Sequence, residues 1–250
     1  MVGRNKTGTG RRGTPKVIRK LRQELKKYTD RKYRINAQQF SKEKLKNPWV
    51  LRTPILRQVS TRFFGEVRKL SKQQVFELCE DLLESGDSEE RFFAFDWAYQ
   101  LRKTYEPSDF PRFETWLKKH VTGWGSCDHL CIGPLGYLIH QFPDLVAKTE
   151  PWAKSRNRWL RRAATVVLIY SVRRGQLLPT VFQVADRLLL DQEDLVQKGY
   201  GWMLKEAGNQ FPEEVFQYVM RHRDRMPRTA LRYAIEKYPP EKRKRAMQRN

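Results

Sequence analysis

The chain has 250 residues, enough to bury a core of its own, and one domain is the default at this length. Lys and Arg total 50 against 28 acids, a formal charge of +22, and this points to a polyanionic partner held through phosphate neutralisation. It excludes a protein needing only a local basic pocket for a small anion, while no apolar run approaches the ~20 residues of a membrane span.

Residues 1–13 are rich in Gly, Arg, Lys and Thr without periodicity, and read as a disordered basic arm. The first 34 residues hold 13 Lys/Arg against Glu24 and Asp30. From Thr14 onward Val17, Leu21 and Leu25 recur at helical spacing behind a Thr14-Pro15 start signal. Thr53-Pro54 repeats that signal before Ile55, Val59 and Phe63. Ser71 and Gln74 form a capping box ahead of Val75, Leu78 and Leu82. Ser85-Gly86-Asp87 breaks the chain, and a helix is predicted over 88–103. No segment reads as strands joined by hairpin turns. The last ten residues, with five cations and one acid, read as a basic tail. The expected organisation is an arm over 1–13, a repeat domain over 14–240 and a tail over 241–250.

Internal repetition sets the architecture. Gln141-Phe142-Pro143-Asp144 recurs as Gln210-Phe211-Pro212-Glu213, 69 residues on. Small residues fall at Ala94, Ala163, Gly199 and Ala234, and the missing midpoint of the 69-residue interval lies near His129. A unit of about 35 residues, each a helix pair, predicts an all-α solenoid of HEAT-like repeats, one curved domain with a concave basic face.

The repeat phase then gathers the unusual residues. Asp128, Arg162 and Lys198 share one phase. Trp124 precedes Asp128 by one turn, Arg158 precedes Arg162 by one turn, and Trp202 and Lys205 follow Lys198. A core stripe should not carry those charges, because burying unpaired ions costs several kcal/mol each. A solvated stripe should not carry two Trp. The mixture predicts a half-exposed groove. Asp128 is the candidate to stabilise oxocarbenium character at a deoxyribose. Trp124 and Trp202 are candidates to hold a charged nucleoside by their indole faces. Arg158, Arg162, Lys198 and Lys205 are candidates for flanking phosphates. Cys79, Cys127 and Cys131 read as small buried thiols. Cys127, His129 and Cys131 lack the second pair a structural zinc wants, so no metal and no organic cofactor is expected.

Trp-x-x-x-Asp at Trp124/Asp128, Trp-Leu-x-Arg-Ala-Ala at 159–164 and Gln-Lys-x-x-Gly-Trp-x-Leu at 197–204 stand in an order that resembles the AlkD-like DNA alkylation-repair glycosylases. The resemblance runs from about Arg52 to Tyr238. It implies removal of cationic N3- and N7-alkylated purines from double-stranded DNA to leave an abasic site, without a tight base pocket. By carry-over Asp128 is the catalytic carboxylate, Trp124 and Trp202 flank the lesion, and Arg162 grips the backbone. Lys205 stands where that family has Arg, and Gly123 and Gly125 flank Trp124. A monomer acting without a membrane is expected, cytoplasmic and nucleoid-associated, or nuclear in a eukaryote. Two other readings are a non-catalytic HEAT-like scaffold for DNA or RNA, and a protein–protein adaptor. The first leaves a lone acid in a basic groove unexplained, and the second leaves the charge unexplained.

Overall fold

The computed structural model describes residues 14–28, 35 and 51–248, and all elements among them are helical. The expected arm over residues 1–13 lies outside the described residues. In chain order the α-helices are α1 (Lys16–Leu25), α2 (Thr53–Val67), α3 (Lys72–Glu84), α4 (Ser88–Gln100), α5 (Phe110–His120), α6 (Trp124–Ile132) and α7 (Pro134–Gln141). They continue with α8 (Arg158–Val166), α9 (Ile169–Val172), α10 (Leu178–Arg187), α11 (Asp194–Gly208), α12 (Pro212–His222), α13 (Arg228–Ala234) and α14 (Pro240–Met247). A 3-10 segment, Pro143–Lys154, takes the place of a helix between α7 and α8.

Helices α2, α4, α6, α8, α11 and α13 begin at steps of 34 to 36 residues and pack side by side as an inner row. Ser60 Oγ donates to Asp96 between α2 and α4, and Phe92 meets His129 between α4 and α6. Arg162 joins α8 to α6 through Asp128 and to α11 through the Leu195 carbonyl. Helix α11 then packs on α13 through Gly201, where a Cβ would stand 2.7 Å from the Ala230 carbonyl oxygen. The alternate elements form an outer row. Phe76 meets Phe113 edge-on across α3 and α5, and Phe110 stacks on Trp152 at 6.0 Å. Phe182 stacks on Tyr218 at 4.7 Å across α10 and α12, and Lys242 pairs with Glu213 across α12 and α14. The chain is an all-α solenoid-like stack of helix pairs.

Local signals explain most boundaries. The Ser71/Gln74 capping box forms with both of its hydrogen bonds. Phe142 and Phe211 adopt nearly the same backbone, φ −130° in each with ψ 79° and 63°, and each is followed by Pro at the first helical position. The 69-residue match is therefore a repeated corner, not a chance word. Helix α4 stops at Gln100, short of the predicted 103; Arg102–Thr104 tighten into a 3-10 turn ahead of buried Tyr105. The α6–α7 interruption falls at Gly133-Pro134, since Pro134 removes a donor from the helical ladder.

Both ends of the described stack are packed helices. Residues 241–248, read from composition as a tail, instead run through α14, which buries Ala246. At the other end α1 buries Ile18, Leu21 and Leu25. It is pinned by Lys20–Glu66, Arg62–Glu24 and a two-pronged Arg22–Glu90 contact at 2.7 and 2.8 Å. Both ends of the stack carry an amphipathic helix whose charges reach back to the adjacent unit. Among the described residues no helix is long and apolar enough to cross a membrane.

Candidate functional site

The three sequence segments land on consecutive inner helices. Trp124 opens α6, with Gly123 in extended backbone before it, and its indole is 56% exposed. A Cβ at Gly123 or Gly125 would meet nothing within 4 Å beyond its chain neighbours and its own helix backbone. Asp128 lies one turn further on the same face, half-buried. Next to it, Cys127 packs with its Sγ against the Trp159 carbonyl, at 3.6 Å.

Arg162 is 5% exposed and commits its guanidinium to this point. Nε donates to Asp128 Oδ1 and Nη2 to Oδ2, both at 2.8 Å, while Nη1 donates to the Leu195 carbonyl. Gly199 makes room for it: a Cβ there would stand 2.7 Å from Thr165 Oγ1 and 3.4 Å from Arg162 Cγ. Burial pushes the Asp128 carboxyl above its ordinary range, while the Arg162 hydrogen bonds and charge pull it down. The result is a carboxylate with fixed orientation, desolvated on one side, whose ionisation depends on one guanidinium. Arg162 was expected to grip the DNA backbone. In the structure its forked donors face Asp128 and the Leu195 carbonyl.

The other named cations also carry acid partners. Lys198 pairs with Asp194 at 2.7 Å, Lys205 with Glu236 at 2.9 Å, and Arg158 with Glu193 at 3.8 Å. Arg158 also covers the Trp159 ring at 4.8 Å. These partly exposed pairs are worth only ~0–1 kcal/mol, so a phosphate can compete for the cation. Arg162 differs because both its charge and its partner are withdrawn from water.

Trp202 brings in two residues that the sequence reading missed. Its Nε1 donates to Glu206 Oε1 at 2.8 Å. Glu206 is gripped in turn by Arg173, Nε to Oε2 at 3.0 Å and Nη2 to Oε1 at 2.8 Å. Arg173 holds the Glu206 carboxyl below its usual range, against the opposing effect of burial. The Glu206 position, one turn after Trp202, was visible as i,i+4 spacing; the Arg173 contact from the neighbouring unit was not.

The three cysteines are buried and free. Among the described residues no cluster of three or more His, Cys, Asp or Glu is placed to hold a metal ion.

Comparison with known proteins places the chain in a family. The family described as DNA alkylation repair enzyme matches residues 21–238, which takes the likeness back from Arg52 into the second half of α1. Among solved structures the chain is similar to a predicted DNA alkylation repair enzyme from Enterococcus faecalis. The TM-score is 0.68 at 16% identity, over 76% of this chain and 87% of that one. No curated protein matches.

Proposed function

The chain belongs to the DNA alkylation repair enzyme family, and from that premise we propose a monofunctional DNA glycosylase for cationic N3- and N7-alkylated purines in duplex DNA. One observation carries the reading: a half-buried carboxylate, Asp128, is held in two-pronged contact by a buried arginine one turn from an exposed tryptophan. Loss of a cationic purine leaves the deoxyribose with oxocarbenium character. A carboxylate already fixed in place stabilises that charge without reorganising, which is the usual source of large electrostatic effects in catalysis. The same group orients a water toward the anomeric carbon. The bonding pair of the broken glycosidic bond leaves with the base, which departs as a neutral purine while the positive charge passes to the sugar, so no general acid is needed.

Trp124 offers its indole face to the cationic nucleotide, an attraction of ~0.5–2 kcal/mol depending on desolvation. Trp202, fixed through Glu206, supplies the second aromatic surface. Arg162 acts as a positioning residue for Asp128. Arg158, Lys198 and Lys205 exchange their acid partners for phosphates, which sets register and reads no sequence. Nothing in this scheme extrudes the base into a pocket, the usual device of enzymes acting on bases.

The test is incubation of the protein with methylated duplex DNA, followed by chromatography of released bases. The reading predicts free 3-methyladenine and 7-methylguanine and an equal number of abasic sites. Tight duplex binding with no released base would leave the scaffold reading instead.

A further inference from the structure

The C-terminal ends of α4, α7 and α9 meet in a cluster that the proposed chemistry does not use. Tyr99, Tyr137 and Tyr170 pack edge-to-face in a ladder, at 6.3 and 5.6 Å between rings. Arg102 lies over the Tyr99 ring at 4.6 Å and Arg174 over the Tyr170 ring at 3.7 Å. Each guanidinium gives a single nitrogen to a carbonyl: Arg102 Nη1 to Tyr99 O, and Arg174 Nη1 to Tyr170 O. His140 stands 5.3 Å from the Tyr170 ring, and its buried Nδ1 has no hydrogen-bond partner. The Tyr99 hydroxyl is held above its ordinary pKa by burial and by its hydrogen bond with Tyr170, while Arg102 and Arg174 both act against that. The two guanidiniums thus cover the two end rings of one tyrosine ladder.

The missing element is a counter-charge. Arg158, Arg162, Arg173, Lys198 and Lys205 all have carboxylate partners. Among the described residues Arg102 and Arg174 have none, and no carboxylate acts on Tyr99 or His140. Each guanidinium sits over a phenol ring and keeps free N–H donors. Two forks beside phenol and imidazole groups, without an acid, suit a phosphate.

We propose that Arg102 and Arg174, with His140 beside them, form a phosphate site for the DNA strand opposite the one that reacts at Asp128. The inference rests on the reading that the inner row carries duplex DNA. Arg162 and Arg174 are twelve residues apart along α8 and α9, a rise of about 18 Å. The major groove is ~12 Å wide between phosphate surfaces, which puts the two backbones roughly 18 Å apart centre to centre once the phosphate radii are added. One strand at the Trp124–Asp128 end therefore brings the other backbone toward this end. Arg173, next in sequence to Arg174, is already tied to Trp202 through Glu206, so the phosphate site and the aromatic wall share one rigid connection.

The experiment measures binding of the wild type, Arg102→Gln/Arg174→Gln and Arg102→Lys/Arg174→Lys to unmodified duplex DNA over a range of salt concentrations. Each lost phosphate contact lowers the slope of log affinity against log salt by about 0.9. The Gln pair is expected to lose about 1.8 in slope and about thirtyfold in affinity near 0.15 M salt. The Lys pair keeps the slope. A Gln pair with wild-type slope overturns the proposal. The His140 imidazole resonances of the wild type give a second readout that needs no variant. They should move on adding duplex and stay in place with millimolar inorganic phosphate. Movement with phosphate alone makes this a free-anion site and overturns the DNA assignment. Because the DNA is unmodified, failure to release methylated bases would defeat the glycosylase reading and leave this result standing. An unchanged slope alongside base release would defeat only this inference.

Discussion

Replacing Arg162 with Met separates the support of Asp128 from the carboxylate itself. Arg162 is 5% exposed and makes two 2.8 Å contacts to Asp128. Breaking a buried pair by removing one partner costs ~3–5 kcal/mol, because the remaining charge is left without compensation. The sign with pH follows from the groups involved. Burial already raises the Asp128 carboxyl and Arg162 opposes that, so the variant raises it further. The folded variant then holds a proton that the unfolded chain releases, and its stability falls as pH rises. The deficit against wild type should therefore be larger at pH 8 than at pH 5. In single-turnover base release the acid limb of the rate profile should move to higher pH, with a loss on the order of a hundredfold near neutrality. Arg162→Lys keeps the charge but not the fork, and should recover part of both. The assays are chemical denaturation at two pH values and a pH–rate profile on duplex with one 7-methylguanine. A stability loss below 1 kcal/mol with an unmoved acid limb would refute the claim that Arg162 sets the state of Asp128.

Other expectations follow from packing and burial. Glu89 is buried at the start of α4 and its carboxyl is pushed up to about 7 from 4.5, chiefly by desolvation. The folded state binds the proton more tightly, so Glu89 lowers stability as pH rises from 4.5 to 7. Glu89→Gln should stabilise the protein by up to ~3 kcal/mol at pH 8 and by little at pH 4.5, read from melting temperatures at the two pH values; equal shifts at both would contradict this. Gly201→Ala gains ~1 kcal/mol of helix propensity but places a Cβ 2.7 Å from both the Ala230 oxygen and Tyr233 Cβ. Overpacking against backbone costs ~1–3 kcal/mol, so a lower melting temperature is expected, and a higher one would mean that α11 and α13 separate easily. Trp124→Ala removes an indole that is 56% exposed, so stability should change by no more than ~0.5 kcal/mol. Excision should slow by about two- to thirtyfold, and an unchanged rate would remove Trp124 from the site.

The repeat was legible because it leaves two marks in the sequence. Small residues recur where inner helices touch, as at Gly199, and a Phe-Pro corner recurs where inner gives way to outer, at Phe142 and Phe211. The shared phase of Asp128 and Arg162 was legible for the same reason. Their mutual contact was not, since hydrogen bonding between units depends on how far neighbouring helices rotate and how close Gly199 lets them come. Burial of Arg162 was invisible from composition. The acid partners of Lys198, Lys205 and Arg158 were hidden by net charge, which counts acids without placing them. Glu206 was one turn from Trp202 and could have been found by the spacing already applied to Trp124 and Asp128. The basic end at residues 241–248 looked like a tail because charge dominates it, whereas Ala246 and Met247 hold it against the stack.

The most direct measurement is single-turnover release of 7-methylguanine from duplex DNA by Asp128→Asn, at protein concentrations that saturate binding. The amide keeps the shape and can still accept from Arg162, but it carries no charge to stabilise an oxocarbenium ion. Losing one such electrostatic contact is worth ~3 kcal/mol, so the rate should drop by about a hundredfold or more while duplex binding is retained or tightened. Wild-type excision by Asp128→Asn would contradict the account, because the charge of that carboxylate is what the reaction is proposed to need.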